Sequence, residues 1–384
     1  MSMKNFYPNQ YEKDSFFDIN HNYLSEQFSD SEFILSKINE VVKKNDFTLG
    51  KTVDEVEELI AIEANTKFAI GVGSGTDALM LSLKALGIGS GDEVITTTYT
   101  FYATVGAIVT AGATPVFCDC GEDFNIDPDK IQDKITSRTK AIIPVHWTGR
   151  PCDMNKIREI AKTNSIEIIE DACHALQAEY FGERCGGLGR LGCFSFHPLK
   201  NLNVWGDGGI ITTNDNELCK KLKLIRNHGL IDRDTCVQFS YNSRLDTIQA
   251  VVAKYLIENK LNNITNSRIN NAKKYDQELS NVEQVKLINR TIGLKEVFHL
   301  YTFTAKNRDG LADYLKSKGI DAKVHYPIPM HLQPAAAIYG YKKGDFPMAE
   351  KLSNSCISLP AHEFIKHDQI TYTTELIKDF YRNT

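Results

Sequence analysis

The stretch Phe68-Ala69-Ile70-Gly71-Val72-Gly73-Ser74-Gly75-Thr76-Asp77-Ala78-Leu79 decides the fold. Its first five residues form an apolar run of strand length, and the Gly/Ser cluster that follows is turn chemistry. From Asp77 to Leu86 the residues Leu79, Leu83 and Leu86 fall on one helical stripe, which Gly87 stops. Outward from this unit the alternation repeats. Glu93–Thr97, Ala113–Cys118, Ala141–Val145 and Glu167–Ile169 read as strands, and Asn155–Thr163 reads as a helix carrying Ile157 and Ile160. Strands alternating with helices predict a mostly parallel sheet covered on both faces. Upstream lie an irregular arm, a helix around Ser31–Val42 and a second helix with Val53, Val56, Leu59 and Ile60 on one face. Downstream the pattern changes to a long helix over Leu245–Lys260 and a polar stretch, Asn262–Asn271. A strand over Val297–Thr304, a helix over Asp309–Lys318 and a strand over Ile320–Tyr326 follow. The expected fold is α/β: an arm and large domain over residues 1–250, then a linking helix and a smaller α+β domain over 251–384.

Composition narrows the class. The chain has 384 residues, 44 basic against 49 acidic, and 42% hydrophobic residues, which is ordinary globular composition. A net charge of −5 without a basic block argues against nucleic acid as a partner. The uncharged run Val94–Cys118 is long enough to cross a bilayer, but it carries Thr96, Thr97, Thr98, Thr100, Gly106, Gly112 and Pro115. It reads as buried strand, loop and helix, so no membrane segment is expected. The N-terminus has no signal-peptide core. The nine cysteines include no CxxC pair, and Cys118/Cys120 lack two further zinc ligands. Reduced thiols, no metal and a cytoplasmic location are expected.

Four segments lie at strand ends, where open parallel sheets bind ligands. The turn Gly71–Ala78 aims backbone N–H groups and a helix dipole at one point, which suits a phosphate. As a dinucleotide fingerprint it is incomplete: Thr76 stands where the third Gly would be, and Glu93 opens its strand where the acidic residue should end it. Asp171 follows an apolar strand, where it either caps a helix or holds a cationic ring nitrogen. Lys200 sits in an aromatic, Gly-rich and nearly uncharged region, the setting of a nucleophilic amine. Tyr99-Thr100-Phe101-Tyr102 places aromatics at the mouth of another strand, against a flat ring or in the core. An amine, a carboxylate, an N–H nest with a hydroxyl, and an aromatic are together what pyridoxal 5′-phosphate needs.

The sequence closely resembles the DegT/DnrJ/EryC1/StrS sugar aminotransferases, from about Phe33 to the C-terminus. The resemblance implies the type I aminotransferase fold and pyridoxal 5′-phosphate. It implies that Lys200 carries the cofactor, Asp171 holds its ring nitrogen and His174 stands near its ring hydroxyl. Phe101 matches the ring-stacking aromatic, while Ser195 and the segment with Gly75, Thr76 and Asp77 match the phosphate site. Asn242, in Tyr241-Asn242-Ser243-Arg244, matches an asparagine that reaches the partner's cofactor phosphate, which implies a homodimer with shared active sites. The segment Val324–Pro334 makes His325, Tyr326 and His331 substrate-side candidates, with packing as the other reading. Leu199, Val204 and Trp205 are bulkier than in many members and leave the acceptor open.

The resemblance implies a reaction that moves an amino group from L-glutamate to a keto-sugar, a nucleotide-linked deoxy-keto-hexose for surface polysaccharide biosynthesis. An alternative acceptor is 8-oxo-3-deoxy-octulosonate, giving 8-amino-3,8-dideoxy-octulosonate for lipopolysaccharide. Lys200 argues against a sugar dehydratase, in which relatives carry His at that position. A nicotinamide oxidoreductase would rest on the Gly71–Ala78 turn alone.

Overall fold

The structure, a computed structural model, describes residues 16–383; the start of the expected arm, residues 1–15, lies outside the described residues. Its centre is a sheet of seven strands: β1 (Phe68–Val72), β2 (Glu93–Thr97), β3 (Thr114–Cys118), β4 (Thr139–Ile143), β5 (Glu167–Asp171), β6 (Leu191–Ser195) and β7 (Gly209–Thr213). The order is β1-β7-β6-β5-β4-β2-β3. Strand β7 runs antiparallel to β1 and β6, and the other pairings are parallel. The C-terminal ends of β1, β2, β4, β5 and β6 therefore meet at one edge. The run Val94–Cys118 is β2, a loop, the helix Tyr102–Ala111 and β3, as its Thr, Gly and Pro content predicts. Among the described residues no helix is long and apolar enough to cross a membrane.

Apolar clusters cover both faces of the sheet. On one, Val53, Val56 and Ile60 pack with Ala250, Val252 and Leu256; on the other, Leu79, Leu83 and Ile108 pack with Ile143 and Leu222. Residue 250 thus falls inside the helix Thr247–Asn259, whose apolar face belongs to the large domain's core. The smaller α+β domain has its own sheet of Val285–Lys286, Tyr301–Ala305 and Cys356–Leu359, closed by the helices Arg308–Ser317 and His367–Arg382. Ile19, from the N-terminal segment, is buried in this smaller core.

Three downstream expectations need correction. The polar stretch Asn262–Asn271 lies within the helix Leu261–Leu279, which buries Ile264, Arg268, Asn271 and Tyr275 on one face. Polar residues at helical spacing hide such a face from a reading by hydropathy. The strand expected over Val297–Thr304 is Tyr301–Ala305. Val297 and His299 donate their N–H groups to Gly149 and Thr148 of the large domain, which pulls this segment off the sheet. Residues 320–326 form no strand but two isolated bridges, Ile19 to Ile320 and Lys323 to Ser358.

Candidate active site

A cavity of about 460 Å³ opens at the shared strand edge, between the two domains. Lys200, Asp171, Gly75, Thr76, Ser195 and Phe101 line it, as do His174, His325 and Tyr326. Sequence positions separated by as many as 251 residues are thus drawn to one place by the parallel topology.

Asp171 ends β5 with its carboxylate buried. Oδ2 accepts the hydroxyl of Thr104 at 2.7 Å, and Thr104 Oγ1 in turn lies 2.7 Å from Thr100 Oγ1. Oδ1 accepts the N–H of Cys173 at 3.2 Å. No helix follows Asp171, so the helix-cap reading is not met. Lys200 faces the same cavity. Burial lowers its pKa below the usual lysine value, opposed by Cys173 and the Asp171 carboxylate. Burial also keeps the Cys173 thiol well above its usual pKa and hence neutral.

The helix Gly75–Ala85 begins at the cavity. Ser74 caps it, its hydroxyl accepting the N–H of Asp77 at 3.0 Å. The N–H groups of Gly75 and Thr76 have no acceptor inside the helix, so they are available to an anion. A Cβ on Gly75 would stand 2.6 Å from Ser195 Cβ and 2.9 Å from Cys173 Sγ, so only glycine lets the helix end approach Ser195. A Cβ on Gly209 would likewise meet the Ser74 carbonyl at 2.3 Å.

The opposite wall is aromatic and histidine-rich. His174 lies 4.2 Å from His299 and 5.2 Å from Trp147, ring centre to ring centre, and its buried Nδ1 has no hydrogen-bond partner. Burial, then the charge of Lys200, holds His174 well below the usual histidine pKa. Phe101, 45% exposed, faces Tyr326 with centroids 5.9 Å apart.

Other expected residues lie elsewhere. Asp77 does not line the cavity: its N–H is taken by Ser74, and its carboxylate accepts the Ser243 hydroxyl at 2.8 Å. Asn242, beside Ser243, is exposed on the outer surface. His331 is buried outside the cavity, its Nε2 3.1 Å from Glu350 and its ring against Phe346, so it packs. Of the bulky trio, Leu199 lines the cavity, whereas Val204 and Trp205 pack with the large domain's core.

Several residues at the site carried no sequence signal. Thr104 reads as an ordinary helix residue, and His299 falls in a segment expected to be strand. Tyr23, whose hydroxyl donates to the Lys200 carbonyl at 3.2 Å, comes from the arm. Glu170, fully buried behind Asp171, accepts the N–H groups of Gly186, Leu188 and Gly189 and pairs with His146 Nε2 at 2.9 Å. His146 Nδ1 accepts the Cys152 N–H, which leaves the ring proton on Nε2 for Glu170. His146, Glu170 and Cys185 have metal-ligand spacing, but this carboxylate is already filled by backbone donors.

The family model of the DegT/DnrJ/EryC1/StrS aminotransferases matches residues 29–378. The chain belongs to this family. The chain is 43% identical to a protein of Geobacillus stearothermophilus named as a pleiotropic regulatory protein, over 94% of this chain and 98% of that one. It is 36% identical to the dTDP-3-amino-3,4,6-trideoxy-alpha-D-glucose transaminase of Streptomyces venezuelae, over 89% and 90%. Among solved structures, the PLP form of the putative sugar aminotransferase Spr1654 from Streptococcus pneumoniae superposes with a TM-score of 0.84 at 26% identity, over 90% and 95%. The protein is a PLP-dependent sugar aminotransferase. The cavity fits this cofactor: Gly75 lets a helix N-terminus close against Ser195 at the cavity wall, donors that suit a phosphate, and the unpartnered Nδ1 belongs to a histidine lining the same space.

Proposed function

We propose that the enzyme moves an amino group from L-glutamate to a nucleotide-linked deoxy-keto-hexose destined for surface polysaccharide. The observation that carries this reading is that one cavity gathers the amine of Lys200, the carboxylate of Asp171 and the helix end at Gly75 beside Ser195. The name of the Streptomyces venezuelae relative supports a nucleotide-linked acceptor. When bound, pyridoxal 5′-phosphate supplies an aldehyde that carries the amino group and a protonated ring that accepts electron density.

The chain's own residues do the rest. Asp171, whose carboxylate is fixed in place by the Thr104 hydroxyl and the Cys173 N–H, would pair with the ring nitrogen and keep it protonated. The N–H groups of Gly75 and Thr76, with the Ser195 hydroxyl, hold the phosphate. Phe101 would cover the ring face and His174 would stand at the ring hydroxyl, both lining the cavity. Lys200 Nζ would hold the cofactor through its aldehyde and, as a free amine, would carry the donor's Cα proton; its lowered pKa suits a base. His325 and Tyr326 face the sugar.

A homodimer with shared sites is part of the reading. Exposed Asn242 lies in the same stretch as Val237 and Phe239, of which Phe239 is 99% exposed, and such a segment gains by being covered. The test is a half-reaction screen. The holoenzyme is loaded with L-glutamate, then offered keto-sugars, nucleotide-linked and free, while the visible band of the lysine-bound cofactor is followed. Recovery of the band with a nucleotide-linked keto-hexose supports the proposal. Recovery only with 8-oxo-3-deoxy-octulosonate would replace the acceptor.

A further inference from the structure

The loop after β2 and the first turn of the helix Tyr102–Ala111 that it leads into touch both sides of the cavity. Through Thr100 and Thr104 they bear on Asp171, and through Tyr99 they reach the small domain. Tyr99 is 1% exposed. Its hydroxyl donates to the His325 carbonyl at 2.6 Å, and the same oxygen accepts the N–H of Tyr326 at 2.9 Å. The neighbouring Thr98 carbonyl accepts the N–H of Met330 at 2.9 Å. The ring itself is wedged edge-on against Phe124 at 5.1 Å and Trp147 at 5.5 Å, so its packing does not depend on the hydroxyl. Burial drives the phenol pKa well above its usual value, which keeps the donor proton in place.

We infer that Tyr99 is a positioning residue for the acceptor. Its hydroxyl grips both the C=O of His325 and the N–H of Tyr326, and so sets where their side chains stand over the cavity. The inference rests on the reading that these two residues face the sugar. The pair has other holds: His325 Nδ1 meets Ser358 Oγ at 3.0 Å, Cys356 Sγ lies 3.0 Å from the Tyr99 hydroxyl and 3.7 Å from the His325 carbonyl, and the Tyr326 ring meets Phe101, Tyr102 and Trp147 through tilted ring contacts, but among these only Tyr99 bonds both backbone groups. The groups on the cofactor side are held by other bonds. Asp171 is held by Thr104 and Cys173, and the helix end at Gly75 by its Ser74 cap. Loss of the hydroxyl therefore separates acceptor recognition from donor chemistry.

Tyr99→Phe keeps the ring and leaves the His325 carbonyl and the Tyr326 N–H without the phenol. The probes are L-glutamate and, for the acceptor side run in reverse, a dTDP-linked 3-amino sugar. KM for the amino sugar should rise about tenfold, while the L-glutamate half-reaction and the visible cofactor band stay within about twofold of wild type. Crystal structures of both holoenzymes should show His325 and Tyr326 displaced in the variant. An unchanged KM for the amino sugar, an equal fall in both half-reactions, or superposable His325 and Tyr326 would overturn the inference. A wild-type enzyme that ignores the dTDP-linked sugar sinks the acceptor reading instead, and the pair of crystal structures then decides the role of Tyr99.

Discussion

Lys200 shows how much of a residue's chemistry depends on its surroundings. An ordinary lysine is charged at neutral pH, but burial makes the charged form costly here. With the folded pKa below the unfolded one, the unfolded chain binds the extra proton between the two values. Stability therefore rises with pH through that window, and the burial penalty is in full force below the folded pKa. Lys200→Met apoprotein should melt higher than wild-type apoprotein at neutral pH, with the gap closing as pH approaches about 10.4. Paired thermal melts across pH check this, and a gap that widens with pH contradicts it. Asp171→Asn should leave the melting temperature nearly unchanged but lower the rate of the L-glutamate half-reaction roughly a hundredfold or more. Equal losses of stability and rate would mean that the carboxylate mainly supports the loop through Thr104 and Cys173.

Among the elements, the helix Gly75–Ala85 carries the phosphate-side chemistry through its first turn. Gly75→Ala would drive a Cβ into Ser195 Cβ, 2.6 Å away, and force helix and strand apart. The expected outcome is a destabilisation of about 1–3 kcal/mol and a cofactor affinity lower by about tenfold or more, read by absorbance titration with pyridoxal 5′-phosphate. Unaltered affinity would remove the helix end from the phosphate site. This element was legible in the sequence because its turn, cap and apolar stripe are all local. The segment 297–299 was not: its apolar residues suggest strand, yet its N–H groups bond across to residues 148–149. That crossing places His299 against His174 and changes the wall of the cavity.

Across the whole molecule, histidines converge from distant segments. His21, His174 and His299 are held well below the usual histidine pKa, chiefly by burial, and His325 is lowered to about 4. Below pH ~6.5 the unfolded chain binds protons that the folded protein refuses. Stability should therefore fall steadily as pH drops from about 6.5 toward 4. The His174→Gln/His299→Gln double variant should show a shallower fall in denaturant unfolding over the same range. A wild-type curve flat down to pH ~5 would show that these imidazoles are not kept neutral by the fold.

By itself the sequence determined the alternation of strands and helices, and with it the sheet edge where Gly75, Asp171, Ser195 and Lys200 gather. Those features depend on local turn chemistry and periodicity, which neighbouring residues encode. It did not separate His331 from His325, because both sit in one proline-rich segment. Only the tertiary structure turned one into the cavity and packed the other beside Phe346. Nor did it mark Thr104, Glu170 or His299 as partners of the site, or tell which aromatic of Tyr99–Tyr102 would grip the small domain. Their roles arise from hydrogen bonds and ring contacts between segments remote in the chain, and such pairings exist only after the two domains have closed around a common cavity.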